Sequence, residues 1–88
     1  MKQSGTIGIS PLGSFSWALL RLKDGGKMRR KGWNGKGMYI ELQKPDKHSK
    51  MTLPYIFMKT ADNNLVPWLA SQTDILSDDW EDYAEKIK

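Results

Sequence analysis

The sequence predicts an α+β domain in which one amphipathic helix packs on a small antiparallel sheet. Three observations support this class: an apolar stripe at helical spacing near the N-terminus, short alternating apolar segments after it, and turn residues between those segments. The 88 residues suffice for one domain, spanning 1–88, and contain no internal repeat. A domain of this size buries a modest core and has no cysteine for a disulfide, which favours assembly as a homo-oligomer.

The N-terminal helix is predicted over Phe15–Asp24. Its apolar stripe recurs at positions i, i+3, i+4 and i+7, formed by Phe15, Ala18, Leu19 and Leu22. Ser14 precedes the stripe as a candidate N-cap, and Gly25-Gly26 follows it as a left-handed stop.

Strands are predicted from β-rich composition and from alternation of apolar and polar residues. The four segments are Lys27–Gly32, Met38–Leu42, Leu53–Thr60 and Leu65–Trp68. Asn34-Gly35 predicts a tight hairpin turn after the first strand, which Lys36-Gly37 could lengthen into a loop. Asp62-Asn63-Asn64 predicts the turn between the last two strands.

The C-terminal part of the chain predicts a short helix followed by one further element. Ser71 or Thr73 is expected to cap a helix that runs through Leu76. The segment Asp78–Tyr83 fits either a last strand or a helical turn.

Three stretches lack the pattern of a helix or strand. Residues 1–13 are rich in Gly and Ser and predict an irregular arm, in which Thr6–Ile9 could form a short strand. Residues 43–52 are polar and lysine-rich and predict a mobile loop, while Glu85–Lys88 is expected to fray.

Charge is unevenly distributed along the chain, which has a net charge of +4. Residues 21–50 carry ten Lys and Arg against three Asp and Glu, whereas residues 62–88 carry seven Asp and Glu against two Lys. The basic part could meet phosphates, or the two parts could face each other across an oligomer. No apolar run is long enough for a membrane span or a secretory signal, so a cytoplasmic protein without membrane contact is expected.

The residues needed for enzymatic chemistry are scarce, so no catalytic residue, metal site or cofactor is expected. The single histidine, His48, lies in the lysine-rich loop, and a lone histidine in a loop is usually only solvated. The acidic residues between Asp78 and Asp82 lack the ligand spacing of a calcium loop. No phosphate-binding glycine motif is present. The chain is therefore predicted not to be an enzyme.

The segment from Arg29 to Met38 contains the side chains that bind nucleotides in other proteins. An indole can stack on a base, cations can hold phosphates, an amide can read a polar edge, and glycine allows close approach of the backbone. The candidate ligand-binding residues here are Arg30, Trp33, Asn34 and Lys36. The alternative is a hairpin turn whose Trp33 packs in the core.

A second candidate segment lies at the predicted start of the short helix. Trp68 is followed by three hydrogen-bonding residues, Ser71, Gln72 and Thr73, and helix N-termini favour anions. The alternative is simple capping, with Trp68 in the core. Trp17 lies off the apolar stripe of the N-terminal helix and is a third stacking candidate, although an oligomer contact would also explain it.

Taken together, these segments resemble the Thoeris anti-defence 2 family of phages and prophages over residues 14–82. The resemblance lies in Phe15–Lys23, Arg30–Met38, Pro54–Asp62, Val66–Asp74 and Asp79-Trp80-Glu81. Residues 1–13 and 43–52 depart from the family pattern.

The resemblance implies that the chain is a sponge for a signalling molecule. It would bind, without degrading, cyclic ADP-ribose-type nucleotides such as glycocyclic ADP-ribose, which bacterial TIR-domain Thoeris proteins make. Some members of the family also bind cyclic oligonucleotides. It also implies a homotetramer with pockets between subunits, whereas the residues alone favour only an oligomer. Two alternatives remain at this point: a nucleic-acid-binding module using residues 21–50, and a hydrolase of the signal.

Overall fold

The computed structural model describes residues 10–84 and contains a five-stranded sheet and two helices. In chain order the elements are α1 (Phe15–Lys23), β1 (Met28–Arg30), β2 (Tyr39–Gln43), β3 (Tyr55–Lys59), β4 (Leu65–Pro67), α2 (Gln72–Leu76) and β5 (Trp80–Asp82). The strands lie in the order β4-β3-β2-β1-β5, and every neighbouring pair is antiparallel. The predicted α+β class is confirmed. The predicted strand at Thr6–Ile9 and the predicted fraying at Glu85–Lys88 lie outside the described residues.

Helix α1 begins and ends as the sequence predicts. The Ser14 hydroxyl accepts a hydrogen bond from the Trp17 backbone N–H at 3.2 Å. At the other end Gly25 has a φ of +95°, a conformation that glycine adopts without strain. The N–H groups of Gly25 and Gly26 donate to the carbonyls of Leu22 and Arg21, which closes the helix in a Schellman motif.

Strand β2 lies at the centre of the sheet, and β4 and β5 form its two edges. Strand β2 pairs with β3 over its full length, from Tyr39 opposite Lys59 to Gln43 opposite Tyr55. The segment after α2, for which the sequence allowed a strand or a helical turn, forms β5, which pairs with β1 so that Glu81 lies opposite Arg29. The chain therefore returns from one edge of the sheet to the other.

The connection between β1 and β2 differs from the predicted tight hairpin. Strand β1 ends at Arg30, and residues 31–38 form a loop. Neither Asn34 nor Gly35 adopts a positive φ; Gly37 does, at +76°, so the prediction of a two-residue Asn34-Gly35 turn is wrong and the longer loop is correct. The chain leaves the ladder early because the N–H of Gly32 bonds to the carboxylate of Asp79 instead of to β2.

The core lies between α1 and one face of the sheet. Its buried members are Ala18, Leu22, Met28, Ile40 and Trp80. Because side chains alternate along strands, Arg29, Tyr39, Phe57 and Lys59 point to the opposite face. Helix α1 contacts the sheet through β1, β2 and β5 on the core side. We call the opposite side the open face.

Residues 44–54, between β2 and β3, contain the predicted lysine-rich loop. Within it the Asp46 carboxylate accepts hydrogen bonds from the His48 N–H at 2.8 Å and from the Ser49 hydroxyl at 3.2 Å. This is a local turn of polar side chains. The mobility of the loop stays a prediction.

Candidate functional site

A crevice of about 540 Å³ lies between the β1–β2 loop and the end of β5. Small-molecule pockets in proteins span about 300–1,000 Å³. Its walls are formed by Arg29, Trp33, Asn34, Gly35, Lys36, Tyr83 and Ala84. Three of the nine residues predicted to bind ligand, Trp33, Asn34 and Lys36, are therefore brought together, and we call this space the Trp33 crevice.

The loop that carries these residues is fixed at both of its ends. The backbone N–H of Trp33 donates to the Arg30 carbonyl at 3.1 Å. The ammonium of Lys59 donates to the Gly37 carbonyl at 3.0 Å. Gly37 can present this carbonyl because its positive φ carries no side-chain penalty. The loop is thus held in position by main-chain contacts and by one lysine from β3.

Cations and aromatic rings continue from the crevice onto the open face. Lys27 Nζ lies 4.7 Å from the centre of the Tyr39 ring, and Lys59 Nζ lies 5.9 Å from it. Tyr39 packs against Tyr83 of the crevice with ring centres 4.8 Å apart. The Nε atom of Arg29 lies 3.2 Å from Glu81 but has no hydrogen-bond partner among residues 10–84. Phosphates and bases are the groups that such a surface attracts.

Arg30 is placed differently from Arg29, although the two are adjacent in β1. Its Nε donates to Asp79 at 2.8 Å and its Nη1 to Asp74 at 2.8 Å. The side chain is 14% exposed. The hydrogen bonds that Arg30 donates to Asp79 and Asp74 raise its pKa above the ordinary value. A phosphate contact by Arg30 stays a prediction and would compete with two carboxylates.

The two carboxylates that hold Arg30 are kept ionised by their partners. Burial acts to raise the pKa of Asp74, but hydrogen bonds from Arg30, Trp33 and Ser71 outweigh it, and the pKa lies below its ordinary value. For Asp79 the hydrogen bond from Arg30 is the main cause of a lowered pKa, with a further contribution from the Gly32 N–H. The cluster is therefore an ionised structural network.

The second predicted segment lies outside the crevice. Ser71 caps α2 through a capping box with Asp74, while Gln72 and Thr73 are exposed on the first turn of the helix. Trp68 is partly buried and lines a separate groove with residues 51–56 and Pro67. Ligand contact by these four residues stays a prediction, and within one protomer they do not share the space that Trp33 lines.

The two segments are nevertheless connected through the indole of Trp80. Trp33 packs edge-on against Trp80 at 5.4 Å, and Trp68 does so at 6.0 Å. Trp33 and Trp68 are thus partly buried on either side of one core tryptophan. The alternative of core packing therefore applies in part to each, and a role as an aromatic platform stays a prediction.

Trp17, the third stacking candidate, lies at another surface. It is partly buried against the core and lines a crevice with Leu12, Lys31 and the acidic residues of 78–82. An anionic ligand would meet repulsion there. Its stacking role is not supported by its neighbours.

Sequence reasoning missed three residues that build the site: Arg29, Tyr83 and Lys59. Because side chains alternate along β1, Arg29 and Arg30 point to opposite faces of the sheet. A prediction that placed both residues within the strand and applied this alternation would have separated them. Tyr83 reaches the crevice only because β5 pairs with β1, and no local signal announces that pairing.

The described residues contain neither a cluster of metal ligands nor a helix that could span a membrane. No group of three or more His, Cys, Asp or Glu between residues 10 and 84 is placed to hold a metal ion. Neither helix of this part of the chain has the length and apolar character to cross a membrane.

The fold is that of a small α+β domain with a five-stranded antiparallel sheet and two helices. Comparison with known proteins gives its family: residues 13–83 match the model of the Thoeris anti-defense 2-like domain. A protein of Bacillus phage SP01 named Thoeris anti-defense 2 is 38% identical over 81 residues, covering 77% of this chain and 91% of that protein. The chain therefore belongs to the Thoeris anti-defense 2-like family, and this membership suggests an anti-Thoeris role in phage infection.

Proposed function

We propose that the chain counters Thoeris defence by binding and sequestering a cyclic ADP-ribose-type nucleotide, of which glycocyclic ADP-ribose is the first candidate. The single observation that carries this proposal is the Trp33 crevice, in which an indole, an amide and two cationic side chains meet. The ligand class has an adenine that stacks on aromatic rings and a pyrophosphate that pairs with cations. The family relationship supports the biological context.

Each group of the crevice has a role in this proposal. Trp33 stacks the base, Lys36 and Arg29 pair with the phosphates, and Asn34 donates or accepts a hydrogen bond at a polar edge. Tyr83 closes the wall behind them. Lys27 and Lys59, grouped around Tyr39, add positive potential next to the phosphates.

Binding without turnover is part of the proposal. A sponge competes with the effector of the defence system, so its affinity has to be high, on the order of nanomolar, or about −12 kcal/mol. Hydrolysis would require a general base or a bound metal beside the pyrophosphate. The cations of the crevice are better suited to hold the phosphates than to activate water.

We further propose that the protein acts as a homo-oligomer, with a tetramer as the first candidate, in the bacterial cytoplasm where the signal is made. Several large apolar side chains are exposed on the monomer: Met51, Leu53, Tyr55, Leu65 and Val66. All of these except Leu53 line an apolar groove with Phe57 and Pro67 on the open face and its β4 edge. Apolar surface of this kind is typical of subunit contacts.

Isothermal titration calorimetry with glycocyclic ADP-ribose tests the proposal. Wild-type protein should bind, and Trp33→Ala should weaken binding by about tenfold to a hundredfold, the range of one base–aromatic stack. Trp17→Ala is the matched control, because Trp17 is also a partly buried indole but lines the acidic crevice. Equal affinity for wild type and a folded Trp33→Ala variant would exclude the crevice as the binding site.

Two further measurements separate sequestration from the other functions. Heating the protein–ligand mixture should release the nucleotide intact, whereas a hydrolase would release a linear product. A mobility-shift assay at low and moderate salt should detect no duplex or single-stranded nucleic acid bound. Affinity for nucleic acid that falls steeply with salt would instead favour a nucleic-acid-binding module.

A further inference from the structure

The carboxylate of Asp74 lies where α2, the β1–β2 loop and β5 meet. Its Oδ1 accepts hydrogen bonds from Arg30 Nη1 at 2.8 Å and from Trp33 Nε1 at 3.2 Å. Its Oδ2 accepts the backbone N–H of Ser71 at 3.3 Å. The main-chain carbonyl of the same residue accepts Trp80 Nε1 at 2.9 Å. One residue therefore holds the indole N–H groups of two tryptophans.

These contacts restrict the ring of Trp33 in two independent ways. An indole has a single polar atom, a donor, and that atom is bound to Asp74. The ring is also packed against Trp80 with an angle of 79° between the planes. With its N–H and one ring contact fixed, the rest of Trp33 forms a wall of the crevice. A side chain already fixed in its binding orientation loses less entropy when a ligand arrives.

We propose that Asp74 is a positioning residue for the binding site. It holds the indole of Trp33 in the orientation that lines the crevice, and it does not itself contact ligand. Its side chain is 13% exposed, and its two oxygens are used by protein donors. Ser71 reaches the site by the same route, since its capping box with Asp74 fixes the carboxylate that fixes Trp33. The effect on ligand affinity rests on the proposed function, whereas the effect on Trp33 does not.

The indole proton of Trp33 gives a test that requires no ligand. In ¹⁵N-labelled protein its resonance is assigned by its loss in Trp33→Phe. In Asp74→Ala the resonance should shift, and exchange of this proton with solvent should accelerate by about tenfold or more because its acceptor is gone. Asp82→Ala is the control: Asp82 also holds an arginine, Arg21, at 3.2 Å but makes no hydrogen bond to Trp33 or to the β1–β2 loop. There the exchange rate should change by less than about twofold.

Affinity for glycocyclic ADP-ribose tests the consequence for binding. Asp74→Ala should weaken binding by about tenfold, equivalent to about 1.4 kcal/mol, and Asp82→Ala by no more than about twofold. In a Trp33→Phe background, adding Asp74→Ala should change affinity by less than about twofold, because the N–H that Asp74 holds is absent. Asp74→Asn keeps an oxygen acceptor and the side-chain size, so it should recover part of the affinity.

The outcomes separate the positioning role from general support of the fold. An unchanged Trp33 proton in folded Asp74→Ala would overturn the proposal, as would equal changes in Asp74→Ala and Asp82→Ala, which would assign the effect to the loss of any carboxylate. If Asp74→Ala fails to fold, Asp74→Leu, which has a similar size and no acceptor, takes its place in the indole measurement. If wild-type protein does not bind the nucleotide, the proposed function fails, and the indole exchange still decides whether Asp74 positions Trp33.

Discussion

Arg29 and Arg30 are consecutive, carry the same charge and belong to the same three-residue strand, yet the sheet sends them to opposite sides. On the core side, Arg30 is held by Asp74 and Asp79 at 2.8 Å each. On the open face, Arg29 has one looser contact with Glu81 at 3.2 Å and lines the crevice. The comparison teaches that neighbouring cations in a basic segment have different surroundings: strand alternation places one in an ionised structural network and the other at the crevice.

The largest expected difference between the two arginines is in the free energy of unfolding after each is replaced by methionine. Arg30→Met leaves two partly buried carboxylates without their cation and should lower the free energy of unfolding by about 2–4 kcal/mol. Arg29→Met removes a half-exposed pair and should lower it by less than about 1 kcal/mol. Urea denaturation of both variants measures the difference. Equal losses would mean that the two arginines support the fold in the same way.

Strong acid should weaken the core-side network of Asp74, Asp79 and Arg30. The pKa values of Asp74 and Asp79 are lower in the folded protein than in the unfolded chain, where they lie near 4. Their stabilisation is therefore complete above about pH 4 and is lost as the pH falls through the lower folded values. The melting temperature should drop in that window, and less so in Asp79→Asn, which has one titrating carboxylate fewer. A melting temperature that stays constant between pH 5 and 2 would contradict a stabilising role of these two carboxylates.

The cations of the crevice should determine how ligand affinity depends on salt. Arg29→Met and Lys36→Met should each weaken nucleotide binding by about tenfold at low salt. The loss should shrink at higher salt, because salt screens the attraction that each cation contributes in the wild-type protein. Lys44→Met, an exposed lysine in the lysine-rich loop, is the control and should change affinity by less than about twofold. If Lys44→Met costs as much as Lys36→Met, general positive charge would explain the affinity and the crevice would not.

What the sequence could predict follows the range of its interactions. Helix α1, its Ser14 cap, its glycine stop and the Ser71 cap of α2 depend on neighbouring residues, and these predictions were confirmed. The Asn34-Gly35 hairpin was wrong because Asp79, far along the chain, binds Gly32 and takes the loop away from the ladder. Local turn preference is weaker than such a charged hydrogen bond.

Only the part of the candidate site that is contiguous in sequence was predictable. Trp33, Asn34 and Lys36 lie close in sequence and meet in the crevice. Arg29 joins them through the alternation of β1, and Tyr83 joins them through the pairing of β1 with β5, which has no signature in either segment. Trp68, Ser71, Gln72 and Thr73 were grouped with the ligand, whereas the observed contacts of Ser71 and Trp68 within the protomer are a helix cap and aromatic packing.

Identifying the nucleotide that the protein captures from a cell lysate tests the central claim most directly. Purified protein would be incubated with lysate in which a Thoeris TIR-domain protein is active, washed, and denatured, and the released small molecules would be identified by mass spectrometry. We expect an intact cyclic ADP-ribose-type nucleotide from wild-type protein and much less from Trp33→Ala. Release of no nucleotide, of a linear product, or of equal amounts from both proteins would contradict the account.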